Sequence, residues 1–168
     1  MRSAAAWLTL LVAGLLGCNP TDASPEKLVG ATFKAIQAKD YEAYRKYMLT
    51  RADLEMAASG QQGVFKQKQG YVGGVLKPEE LKQQRGDFDA ATAGTLGLDF
   101  TRAQYVGLAS NQPAPVDLIL GPQVDGRVVT MKVRVEGKEQ DVPSPAFLVI
   151  PWHNNRYRLL GMVQPGPR

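Results

Sequence analysis

Apolar residues change their spacing about halfway along the chain, and the change predicts the order of elements. Leu28, Val29, Thr32, Phe33, Ala35 and Ile36 recur at three- and four-residue steps, with Lys27, Lys34 and Gln37 falling elsewhere. This spacing predicts an amphipathic helix to about Ala38. Ser24–Pro25 supplies an N-cap and a proline at the first helical position. Asp40 is placed to cap a second helix, in which Tyr41, Tyr44 and Met48 line one face beside Tyr47. Thr50 with Asp53 suggests a third cap, and residues 59–74 read as loop with some helix. Pro78–Glu79–Glu80–Leu81 marks a further helix start, with acidic residues at the favoured end of the dipole and fraying expected towards Gly86.

After about Gly94 the period becomes two. Leu96, Leu98 and Phe100 alternate, as do Val116, Leu118 and Leu120. The clearest strand is Val128 to Glu136, with Val129, Met131, Val133 and Val135 on one face and Thr130, Lys132, Arg134 and Glu136 on the other. Gly137–Lys138 signals a tight turn, Phe147–Ile150 is a short apolar run, His153–Asn154–Asn155 reads as a turn, and Arg156–Val163 as the last strand. The predicted class is α+β: N-terminal helices packed on a curved, mainly antiparallel sheet of four or more strands, within one domain from residue 25 to 168.

Composition narrows the chemistry. The chain of 168 residues carries one cysteine and one histidine. These counts exclude an internal disulfide framework and multi-cysteine or His-rich metal centres. No cofactor motif is present: Gly70, Gly73 and Gly74 are not followed by Gly-Lys-Ser/Thr and fit a flap better than a phosphate cradle. No nucleic-acid recognition motif is found despite the formal net charge of +4.

The first residues have the grammar of an export signal. Met1–Arg2–Ser3 is a short basic start, and Ala4–Gly17 is uncharged and apolar. At about 1.5 Å per residue that run reaches about 21 Å, short of the roughly 30 Å hydrocarbon core of a bilayer. It fits a secretory h-region better than a spanning helix. The run ends in Leu15–Leu16–Gly17–Cys18, which resembles the lipobox of bacterial lipoprotein precursors, and the only thiol of the chain stands at its cysteine. The resemblance implies cleavage before Cys18, diacylglyceryl and palmitate chains on that residue, and a lipid anchor in the cell envelope facing the periplasm. Asn19 rather than aspartate after the cysteine leans towards the outer membrane. Residues 1–17 are then signal peptide, and 18–24 acylated cysteine and tether. An ordinary cleaved signal with an incidental cysteine is the other reading, but no Ala-x-Ala site stands near the end of the run.

Pro25–Glu26, followed by a helix and then Lys39–Asp40–Tyr41–Glu42, together with the final Asn154–Asn155–Arg156–Tyr157–Arg158–Leu159, is similar to small lipoproteins with a nuclear-transport-factor-2-like domain. Lys39 stands where that family usually has glycine, and Tyr157 where it usually has tryptophan. The resemblance implies a cone-like sheet closed by N-terminal helices. Because that superfamily includes isomerases, dehydratases, transport adaptors and inert domains, the fold carries no activity with it.

Two groups of residues are candidate binding positions. Tyr41, Tyr44 and Tyr47 can line a ligand pocket, or pack their rings inside with hydroxyls at the boundary. Lys132, Arg134, Arg156 and Arg158 lie on two predicted strands; if those strands pair, four cations share one face suited to anionic lipid or an acidic protein. Asp99 and Asp117 fall out of phase with their apolar neighbours and are expected to face solvent, as is His153. The interior positions are apolar, no catalytic residue is assigned, and no Gly-x-Ser-x-Gly nucleophile motif occurs. The favoured expectation is a non-catalytic envelope lipoprotein binding a partner protein or small apolar ligand. A small-molecule enzyme of isomerase or dehydratase type and a structural spacer are the alternatives.

Overall fold

The computed structural model describes residues 21–50, 78–117, 123–152 and 156–163. Helix α1 spans Pro25–Gln37, with the Ser24 hydroxyl accepting the Lys27 N–H as the sequence predicts. It ends in a reciprocal C-terminal turn, Lys39 N–H donating to the Ile36 carbonyl and Asp40 N–H to the Ala35 carbonyl. That geometry requires a left-handed residue after the cap, and Lys39 adopts it with φ +56°. Helix α2, Tyr41–Arg45, is one short turn capped by the Asp40 carboxylate on the Ala43 N–H. Helix α3 spans Pro78–Thr92 and runs through Gly86 rather than fraying there, its last turns fixed by buried Phe88 and Ala91.

Four strands follow: β1 Gln104–Asp117, β2 Gln123–Val135, β3 Lys138–Pro151 and β4 Tyr157–Val163. They form one antiparallel sheet in the order β1-β2-β3-β4, so the α+β class is observed. The expected alternating strand at Leu96–Phe100 is instead a series of turns, because Gly94 and Gly97 adopt positive φ, although Leu98 and Phe100 are buried as expected. The β2–β3 hairpin turns at Glu136 and Gly137, both with positive φ. This is the mirror-image turn that matches strand twist. Pro113 and Pro115 interrupt the donor row of β1, an edge strand, which discourages pairing with another chain.

Val129, Met131 and Val133 face inward as the alternation predicts and are fully buried. They share one core with Leu28, Phe33 and Ile36 of α1, Phe88 of α3, and Phe147 and Leu159 of the sheet. The outer edge of β4 is covered by the segment after α2: Leu159 N–H donates to Tyr47 O and Leu49 N–H to Leu159 O, each at 2.8 Å. Among the described residues no helix is long and apolar enough to cross a membrane. The expected third cap at Asp53, the Gly70–Gly74 flap, the Leu118 and Leu120 positions and the His153 turn lie outside the described residues, as does Cys18.

Candidate ligand groove on helix α1

One side of α1, flanking the core, is built from small residues, and that choice creates a groove. Gly30, Ala31, Ala35 and Ala38 form its floor, Lys27 and Lys34 rise from the same helix, and Tyr105 of β1 and Tyr47 after α2 add rings to its lining. The cavity measures about 730 Å³, within the range of small-molecule sites. Glycine at position 30 is required by Tyr105: a Cβ there would lie 2.9 Å from the ring's Cε1. The ring is held in place by its hydroxyl, which donates to the Glu26 carbonyl at 3.1 Å. Burial raises the Tyr105 phenol above its ordinary range, with the Glu26 charge a second cause, so the hydroxyl stays a donor. Asp40 also lines the groove, but its carboxylate is engaged as the α2 cap.

The three tyrosines singled out by sequence part company. Tyr47 lines the groove. Tyr44 is fully buried, packed at 5.1 Å on the Phe88 ring, and its hydroxyl has no hydrogen-bond partner among the described residues. Desolvation, followed by the Asp87 and Tyr41 charges, drives its phenol well above the ordinary tyrosine range. Tyr41 is half-buried at the core edge, with the Arg85 guanidinium 4.4 Å above its ring and Phe88 against it. Asp87, near this cluster, is raised by desolvation, while a hydrogen bond from the Met162 backbone opposes the shift.

The four cations fall into two pairs at opposite ends of β3. The strands that carry them do not pair, because β3 lies between β2 and β4. Lys132 stands opposite Asp141 and Arg134 opposite Glu139, each cation forming an ion pair with its cross-strand partner. Arg158 lies near the other end of β3, beside Ile150. It donates to Asp22 Oδ2 at 2.6 Å, and Arg156 donates to the same carboxylate at 3.2 and 3.4 Å. Asp22 is 5% exposed, and its carbonyl accepts the Tyr157 N–H at 2.8 Å. The segment expected to be tether is thus bound to β4 from Asp22 onward, because a buried carboxylate is stabilised by two guanidinium partners.

Sequence reasoning missed Asp22, Tyr105 and the small face of α1. Only Gly30, a glycine inside an otherwise regular helical pattern, carried a signal of close approach. Asp99 is exposed as expected and accepts from Thr101. Among the described residues no group of three or more His, Cys, Asp or Glu side chains gathers to hold a metal. Comparison with protein-family models, with characterised proteins and with solved structures finds no match.

Proposed function

We propose that this chain is a lipid-anchored envelope protein, held through Cys18 and facing the periplasm from the outer membrane. In this reading its cone-like α+β domain binds a small, mainly apolar ligand and catalyses no reaction. The observation that carries the binding function is the α1 groove. Its floor is alanine and glycine, its lining includes two tyrosine rings, and Lys27 and Lys34 offer cationic ends for a polar head. Such a surface suits an aliphatic body with one anionic group. The partner-protein version loses its main support, since Lys132, Arg134, Arg156 and Arg158 are each matched to a carboxylate.

The isomerase or dehydratase alternative needs an acid and a base converging on a reacting atom. In the groove the Asp40 carboxylate and the Tyr105 hydroxyl are engaged by the fold's own backbone, while the lining also holds the Glu26 carboxylate and Tyr47, with no arrangement that converges them on one atom among the described contacts. The Tyr44 hydroxyl lies in the core. A dansyl-labelled fatty acid tests the binding role. Saturable enhancement is expected with the native chain, none with Ala31→Trp, which fills the groove, and full retention with Lys132→Glu/Arg134→Glu. Equal binding by the native chain and Ala31→Trp would overturn the assignment.

A further inference from the structure

The Asp22 cluster fixes where the chain enters the fold, and this has a consequence for the lipid anchor. Asp22 is tied to β4 and the residue just before it three times over, by its carboxylate to Arg158 and Arg156 and by its carbonyl to the Tyr157 N–H. Two residues later the Ser24 hydroxyl caps α1, and the Ser24 carbonyl accepts the Leu28 N–H at 2.9 Å. From Asp22 onward the chain therefore has no slack. Cys18 precedes Asp22 by only four residues, about 14 Å of chain at full extension.

We infer that the Asp22–Arg156–Arg158 cluster is an orientation latch: with Cys18 acylated, it holds the end of the domain formed by the start of α1 and the start of β4 against the lipid headgroups. The β2–β3 hairpin at Glu136–Gly137 then points away, because it lies at the other end of β3 from Ile150, the partner of Arg158. Thr21 lines the α1 groove, so one end of the groove lies within the same short reach of the membrane. Lys27, exposed on the first turn of α1 at that end, faces the headgroup layer and suits its phosphates. The bilayer that holds the anchor is the committed partner. The inference rests on the proposed acylation of Cys18.

The test uses the full lipoprotein, purified from envelopes and placed in phosphatidylethanolamine–phosphatidylglycerol vesicles containing a headgroup-quencher lipid. Cys18 is the only native cysteine, and the thioether to diacylglycerol occupies its sulfur, so Lys27→Cys or Lys138→Cys accepts one fluorophore. Quenching at position 27 is expected to exceed that at 138 severalfold. A Gly-Ser insertion between Asn19 and Pro20 should remove the difference while leaving circular dichroism unchanged, and Asp22→Asn should reduce it. Equal quenching in the uninserted chain overturns the latch. A difference that survives the insertion also overturns it, because the face would then hold lipid without the tether. Vesicle flotation with equal quenching removes only the orientation, whereas failure to float with a free Cys18 thiol removes the anchor as well.

Discussion

Asp22 and Arg158 stand 136 positions apart, and the Arg158 guanidinium donates to the Asp22 carboxylate at 2.6 Å. The side chains are 7% and 15% exposed, so this pair is screened far less than the surface pairs of the sheet. It joins the entry of the fold to its last strand.

Asp22→Ala removes a hydrogen-bonded partner from two cations, one of them nearly buried, and should cost about 2–3 kcal/mol. Arg134→Ala breaks a pair whose side chains are 45% and 46% exposed, and should cost about 0.5 kcal/mol. Urea unfolding of both variants checks the contrast. Equal losses would contradict the distinction between the latch and the sheet pairs.

Lys39 holds a left-handed conformation after α1, which costs a side-chain-bearing residue about 1–2 kcal/mol relative to glycine. The added unfolded-state entropy of glycine offsets part of that gain. Lys39→Gly should therefore stabilise the fold by about 1 kcal/mol, visible as a raised urea midpoint with an unchanged slope. A lowered midpoint would mean that the lysine side chain contributes contacts.

Tyr44 links stability to alkaline pH. Its folded phenol is raised by desolvation, then by the Asp87 and Tyr41 charges. The unfolded chain therefore releases this proton first as pH passes about 10. Stability is intact below that value and falls above it. Tyr44→Phe should flatten the fall, with Tyr105, also raised by burial, leaving a residual slope. At neutral pH the same change deletes a buried hydroxyl without a described partner, and is expected to be neutral or stabilising by up to about 1 kcal/mol. Unfolding at neutral pH and at about pH 11 reads both effects.

Gly30→Ala sets two terms against each other. Helix propensity favours alanine by about 1 kcal/mol. The Cβ would meet the Tyr105 ring at 2.9 Å, and displacing a hydrogen-bonded ring in a packed site costs about 1–3 kcal/mol. A net loss of about 1 kcal/mol is expected. Adding Tyr105→Leu should recover the propensity gain in a double-mutant cycle, while additive losses would place the cause elsewhere.

The parts of the fold legible in the sequence were those whose signals are local. The Ser24 and Asp40 caps, the inward face of α1 and the alternation of Val129, Met131 and Val133 depend on neighbours in the chain. The first half of β1 was hidden because register shifts between Tyr105 and Gly107 and between Leu108 and Ser110 break its period of two. The Phe147–Ile150 run showed only part of β3, whose register also shifts opposite Val129 and Met131. Leu96–Phe100 imitated a strand because alternate residues can also be buried by turns. The groove was not legible because alanines and a glycine acquire meaning only when Tyr47 and Tyr105 arrive from distant positions. Strand order decided the fate of the four cations, and no local pattern encodes that order.

Native mass spectrometry of the lipoprotein, extracted gently from its own envelope, reads both the anchor and the occupancy of the α1 groove. The expected species is a chain beginning at Cys18 with acyl mass attached, carrying a further dissociable small molecule that is absent from the Ala31→Trp variant. An unacylated chain, or one that carries the same bound species with the groove filled, would contradict the proposed function.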